Sequence, residues 1–384
     1  LLGPVPMLVL SGHTARVDQA QFSPDGQRLL TAGADGTVRL WDVATGTNVY
    51  HVTPAGKTSH PAAAFGAFSG DGQKLMTLKV VSDLTPWADA TDVVELRDSA
   101  TGRLLNTISN RSTFRAALSP DGQWVVTLGD SSVRLWDGAG GAKLLDLPGH
   151  TFHVVSARFN STGQWLATGS WDGTARVWET VTGRSLAVLR APTNVNAVVF
   201  TPDGTRLLTV SDSFQDLRLW DWARSPGSSL HAFVGHESFI EDAVFSPDGQ
   251  WLATGSADGT ARIWETATGQ CRHVLAGHEG PVRGVNFSPN GRWLVTAGLD
   301  RTARIWDVTT GEELCQLGWN HWARACVAFS PDGKHIVTGT HEGEVALYDC
   351  EVCGSIEDLK ELARRRVPRE LTMAERERHL PPLP

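Results

Sequence analysis

The sequence predicts an all-β fold in which one four-stranded unit repeats around a closed ring, and three observations carry that expectation. First, residues 235–307 contain the same unit twice, 42 residues apart. Gly235-His236 and Gly277-His278 open the two copies, a Phe-Ser-Pro turn begins nine residues after each His, and Trp264-Glu265 and Trp306-Asp307 close them. Second, the Phe-Ser-Pro-Asp-Gly turn or a variant of it recurs along the chain. Third, the apolar runs between turns are short and alternate with polar residues, which is the period of a half-buried strand, and 39 Gly residues supply tight turns. A repeat of this length with four strand-length segments is the sequence form of a propeller blade.

Aligned on that turn, the chain divides into eight units anchored at Phe22, Phe68, Leu118, Phe159, Phe200, Phe245, Phe287 and Phe329, spaced 41 to 50 residues apart. The first unit shows the pattern: VDQAQF, RLLTAG and TVRLWD are three alternating segments, and a fourth follows an Ala-Thr-Gly turn. The ends fix the count. MLVLSGH precedes the first unit, and the eighth ends at VALYDC with no fourth segment after it. Pairing Met7–Leu10 with the eighth unit closes the ring and hides two sheet edges that would otherwise template aggregation. The expected fold is therefore an eight-bladed β-propeller over residues 1–350, with seven blades as the alternative if the irregular second unit is not a blade. Residues 351–384 read as a short helical C-terminal tail. Ser355 and Asp358 resemble a capping box, Ile356, Leu359, Leu362 and Ala363 share one face, Pro368 stops the helix, and a second helix is expected from Thr372.

The totals exclude several functions. A net charge of −8 argues against nucleic acid as partner. No apolar run approaches eighteen residues and no signal peptide is recognisable, so no membrane association is expected and a cytoplasmic location is. The five Cys have no framework spacing and read as reduced thiols. Cys350 and Cys353 make half a zinc site, too little to imply a metal, and no cofactor is expected. The chain begins at Leu1 without Met, so a further domain upstream is expected.

With Gly-His, the Pro-Asp-Gly turn and Trp-Asp recurring at fixed offsets over residues 7–349, the chain resembles the WD-repeat β-propellers. Four units hold a His, a Thr, an Asp and a Trp in matching register: His13, Thr31, Asp35, Trp41; His150, Thr168, Asp172, Trp178; His236, Thr254, Asp258, Trp264; and His278, Thr296, Asp300, Trp306. Acid, imidazole and hydroxyl suggest a hydrolytic triad, yet an active site does not occur four times around a ring. The resemblance implies hydrogen-bonded structural tetrads, and no catalytic residue is assigned. The other units depart from the pattern, with Ser109, Ala191 and Asn320 at the His position of units three, five and eight, Glu342 at the Asp position, and Arg97 and Tyr348 at the Trp position of units two and eight. A repeated Arg (Arg39, Arg134, Arg176, Arg218, Arg262, Arg304) lies opposite the buried Val or Ile, on the blade flank rather than in an anion-binding ring.

Recognition falls to residues that do not repeat. Of fifteen Trp, six end third strands and four begin second strands, leaving Trp87, Trp171, Trp222, Trp319 and Trp322. By resemblance to WD-repeat propellers, the loops joining strand four to strand one and strand two to strand three form the top face. Trp87, Trp171, Trp319 and Trp322 fall there, with Phe152, His153, Phe214, Phe239, Arg16, Arg283 and His341, a composition suited to a protein-binding surface. The tail CEVCGSIEDLKELARRRVPRELTMAERERHL resembles the C-terminus of bacterial multidomain proteins in which a WD-repeat propeller follows a signal-transduction NTPase or other effector module. That resemblance implies a sensor or scaffold whose partner is a protein, a peptide or an upstream domain of the same polypeptide. The alternatives are a small-ligand-binding or enzymatic propeller using the central channel, and a structural or oligomerisation module. No unrepeated cluster of acids, His or metal ligands is visible on the first strands to favour an enzyme.

Overall fold

Each Pro-Asp-Gly motif reverses the chain for reasons visible in its residues. In the turn at 246–250 the Ser246 hydroxyl donates to Asp248 Oδ1 at 2.5 Å, the Gln250 N–H donates to the same oxygen at 3.0 Å, and the Trp251 N–H donates to Ser246 Oγ at 2.9 Å. Gly249 adopts φ 71°, where a Cβ would be strained. The strands on either side are thereby set antiparallel. In blade six, Ile240–Phe245 pairs with Trp251–Ser256, then Thr260–Glu265, then Cys271–Ala276.

The computed structural model describes residues 6–52, 65–79, 91–111, 115–213, 216–225, 227–318 and 323–350. Their strands form eight four-stranded antiparallel sheets. Unit two is one of them, built from Phe65–Phe68, Lys74–Lys79, Thr91–Asp98 and Leu104–Arg111, so the count is eight and the seven-bladed alternative falls. Closure runs as expected: Leu8–Leu10 adds to Val345–Asp349 with Leu8 opposite Leu347, Val9 opposite Ala346 and Leu10 opposite Val345. Leu10 is buried with Val337, Val345 and Leu347. No helix occurs among the described residues, and the expected helical tail at 351–384 lies outside them.

The core lies between blades. Ala253, Ile263 and Leu275 of blade six pack against Val282, Val285, Phe287 and Trp306 of blade seven, all buried; each such large side chain contributes about 1.5–3 kcal/mol. First strands line the axis without sharing a sheet. Side chains bridge them instead: Ser156 Oγ accepts the Val198 N–H (3.2 Å), Asp242 Oδ2 accepts the Val285 N–H (3.0 Å) and Asn286 Oδ1 accepts the Phe329 N–H (3.0 Å). Cys271, Cys315 and Cys326 are thiols, whereas Cys350, buried at the end of the last strand, is disulfide-bonded. That corrects the all-reduced reading at Cys350.

Candidate interaction surface

The frame of this surface is the tetrad. In blade six His236 Nδ1 donates to Asp258 Oδ2 at 2.7 Å, His236 Nε2 lies 2.8 Å from Thr254 Oγ1, and the Trp264 indole donates to the same hydroxyl oxygen at 2.9 Å. A carboxylate can only accept, so Nδ1 carries the proton and Nε2 accepts from the threonine hydroxyl. Burial first of all pulls the pKa of His236 and His150 below the ordinary value, which keeps both rings neutral. The sets around His13, His150 and His278 repeat this geometry. Thr254 is completely buried beneath Trp264, so its oxygen meets no substrate, and the triad-like grouping is structural.

Sequence reading missed two further members. The Asp also accepts from the backbone N–H of the residue after the His (Glu237, 3.0 Å) and from a second threonine two positions on (Thr260, 2.7 Å). That second threonine recurs as Thr37, Thr174 and Thr302, a signal present in the sequence but overshadowed by the more familiar residues. In blade three the place of the imidazole is taken by Asn110, not Ser109. Asn110 Nδ2 donates to Thr127 Oγ1 (3.2 Å), which also accepts from Trp136 (2.8 Å), because the strand Leu104–Arg111 presents alternate residues to this site. In blade five Trp220 still donates to Thr209 (2.9 Å), and in blade eight Tyr348 bonds Thr338. At this position blade two has neither Trp nor Tyr: Arg97 bonds Glu95 and the Gly102 carbonyl, and the buried Thr77 hydroxyl meets no partner among the described residues.

The repeated Arg explains the repeated Gly. Arg176 Nη2 donates to the Gly149 carbonyl at 2.8 Å while its guanidinium lies 5.9 Å from the Trp178 ring centre. A Cβ at Gly149 would overlap Arg176, and the residue sits at φ 143°. Arg262 stands in the same way between Gly235 and Trp264. These cations cover the blade flank, as expected.

On this frame two loops meet at one end of every complete blade. The residue three after the His offers its carbonyl to the N–H of the residue before the Asp: Arg16 to Ala34, His153 to Trp171, Phe239 to Ala257 and Pro281 to Leu299, all at 2.7–2.9 Å. Blade five keeps the bond between Asn194 and Asp212 at 3.1 Å. The backbone is constant while the side chains it displays are not. Phe152, His153 and Trp171 form one cluster, with ring centres 4.4 Å apart for Phe152 and His153 and 5.5 Å for His153 and Trp171. His153 also lies 3.4 Å from Asp130, and Trp171 donates to Asn196 Oδ1 at 2.9 Å. Phe152 is 52% exposed, Trp171 41% and Phe239 57%, unusually bare for large apolar side chains.

The remaining expected residues scatter. Arg16 is half-buried and ion-paired with Asp18. Arg283 lies inside the first strand Val282–Phe287, with Nη1 2.7 Å from Glu241 Oε2, so it belongs to the channel side rather than to a loop. His341 is exposed in the turn between Val345–Asp349 and the strand before it. Trp222 is buried edge-on to Trp165 at 4.8 Å, on no interaction surface. Trp87, Phe214, Trp319 and Trp322 lie outside the described residues.

Comparison with known proteins agrees with this geometry. The family model described as WD domain, G-beta repeat matches residues 4–42, 103–137, 141–179, 183–214, 227–265, 269–307 and 320–349, leaving out the stretch that forms most of blade two. The serine-threonine kinase receptor-associated protein of Gallus gallus is 28% identical over 261 residues, 66% of this chain and 68% of that protein. A guanine nucleotide-binding protein subunit beta of Arabidopsis thaliana is 28% identical over 67% of this chain and 70% of its own length. Among solved structures, the computationally designed Ika8 protein superposes with a TM-score of 0.73 over 90% of this chain and all of its own, at 23% identity, a likeness of fold alone.

Proposed function

The chain belongs to the WD-domain, G-beta-repeat family, and on that premise we propose that it is a non-catalytic scaffold that binds a protein or peptide on the rim formed by Phe152, His153, Trp171 and Phe239. The observation that carries this reading is the contrast just described: one hydrogen-bonded frame repeats, and the aromatic side chains mounted on it do not. Rigidly held, solvent-facing aromatics are the composition of interface hot spots. The names of the relatives, a receptor-associated protein and a subunit of a larger assembly, support the same reading. The resemblance of residues 350–380 to the ends of bacterial signalling proteins supports a finer one, a cytoplasmic sensor whose partner is an upstream module of the same polypeptide. The two relatives named come from a bird and a plant, so the bacterial setting rests on the tail alone.

The test is a displayed-peptide selection against the full chain. Peptides selected on the native protein should lose binding to the combined Phe152→Ala, Trp171→Ala, Phe239→Ala variant. They should keep it for Val181→Ala, an exposed residue in the turn between third and fourth strands at the opposite end. Equal binding to both variants would remove the rim from consideration.

A further inference from the structure

One wall of the central channel carries charges that the blades do not use. First-strand residues of blades five and six, joined by Arg115 from blade three and Arg158 from blade four, line a cavity of about 600 Å³, within the range of ligand pockets. Its acids are already engaged. Glu241 is held by Arg283 at 2.7 Å, and Asp242 accepts the backbone N–H groups of Val285 at 3.0 Å and Ala243 at 2.9 Å. Its cations keep most of their N–H groups unused. Arg158 donates once, from Nη1 to the Ala157 carbonyl at 3.1 Å, and its charge is partly offset by Asp242, while Arg115 has no hydrogen bond or ion pair among the described residues. Both side chains are solvent-facing. Within the cavity the surrounding protein still lowers the pKa of each; Arg158 is lowered further by repulsion from Arg115 and raised by Asp242, so the two guanidiniums are near enough to feel one another. Asn196 adds a neutral donor: its Oδ1 is taken by the Trp171 indole, which leaves the amide hydrogens available.

We propose that this wall binds a small phosphoryl-type oxyanion between Arg115 and Arg158, with the Asn196 amide as an auxiliary donor. Two guanidiniums on one cavity wall with unused N–H groups call for a body with several acceptor oxygens and more negative charge than Asp242 supplies. A phosphoryl dianion meets that demand with more acceptors than a single carboxylate has. The assignment is independent of any partner on the rim.

Isothermal titration of the full chain with sodium pyrophosphate at low ionic strength tests it, with a phosphoserine tripeptide as the second arm. Saturable pyrophosphate binding is expected, weakened at least tenfold by Arg115→Gln and by Arg158→Gln. Arg115→Lys should restore it only in part, because the charge returns without the fork. Phe239→Ala, on the rim, should leave it unchanged. Tighter binding of the tripeptide would assign the anion to a phosphorylated chain, and tighter binding of pyrophosphate to a free ligand. Neither arginine makes a salt bridge among the described residues, so the Gln variants should stay folded, and a pyrophosphate-induced rise in Tm present in the parent should vanish in both. No heat and no rise in Tm in the parent, or equal binding by parent and Gln variants, would overturn the assignment.

Discussion

The Trp171 indole N–H donates to Asn196 Oδ1 at 2.9 Å, tying a loop tip of blade four to the first strand of blade five. The bond runs from the rim to the lip of the channel. It fixes the plane of Trp171 and, through the edge-on contact at 5.5 Å, that of His153. An aromatic whose orientation is set before binding loses little entropy when a partner arrives.

Trp171→Phe keeps most of the ring and removes the bond. Because both residues are exposed, water replaces much of what is lost, and the cost in stability should be about 0.5–1.5 kcal/mol. A double-mutant cycle with Asn196→Ala should show coupling of the same size. Phe239→Ala, with no comparable bond, should change stability by no more than about 0.5 kcal/mol. Denaturant unfolding of the five proteins measures all of these, and zero coupling between Trp171 and Asn196 would mean that the contact does not organise the rim.

The tetrads should behave differently. Trp264→Ala empties a site between blades five and six and should cost about 3–5 kcal/mol. Thr254→Val preserves shape but leaves the Trp264 N–H and His236 Nε2 without their shared partner, at about 1–3 kcal/mol. Thermal melts alongside the rim variants separate the two groups. Equal losses in Tm for Phe239→Ala and Trp264→Ala would erase the distinction between surface and core.

What repeats was legible in the sequence, because each repeat states its own offsets: the turns, the strands that begin or end with Trp, the matching register of the four tetrads and the closing strand follow from spacing, and the bonding within the tetrads from the resemblance to WD-repeat propellers. What links one blade to the next was not. Nothing in the local pattern says that Arg283 meets Glu241, that Trp222 packs on Trp165, or that Arg115 and Arg158 share a cavity, since those contacts join segments about 40 to 60 residues apart in unrepeated chemistry. Asn110 escaped for a narrower reason: a fixed count back from Thr127 lands on Ser109, while the structure puts the neighbouring residue in the site.

Acid should unfold the ring in a shaped way. His150 and His236 are held below their ordinary pKa, first by burial, so the unfolded chain takes up protons near pH 6.5 that the folded chain refuses, and stability falls as pH drops through that value. Asp172 and Asp258 lose solvation on burial, yet hydrogen bonds from Thr174 and Thr260, backbone N–H groups and the paired His hold their pKa down to about 2, so their contribution is present above pH 3.8 and disappears between there and about 2. Asp242 has the opposite sign. Burial pushes it up to about 6, so the folded chain protonates first and gains stability as pH falls from about 6 to 3.8. A melting-temperature profile should therefore decline gently between pH 6.5 and 4 and steeply below. Asp242→Asn should make the gentle part steeper, and an unchanged profile would show that Asp242 does not titrate there.

Blade two is the weak sector of the ring. Its Thr77 hydroxyl is buried and unbonded among the described residues, while Thr31, Thr168, Thr254 and Thr296 each accept from an indole. Backbone amides of Lys74–Lys79 and Thr91–Asp98 should exchange faster than those of blades four, six and seven. Blades three, five and eight keep part of the network and should fall between. The defect is also repairable. Arg97 lies opposite Leu75 as Trp41 lies opposite Leu29, so a Trp at this position has its N–H in register with Thr77. Arg97→Trp alone would strand the Glu95 carboxylate that Arg97 now holds at 2.7 Å, so the substitution is best paired with Glu95→Gln. The double variant should gain about 1 kcal/mol and slow exchange in blade two specifically. Uniform exchange around the parent ring, or a repaired blade no slower than before, would show that the tetrads do not set local stability.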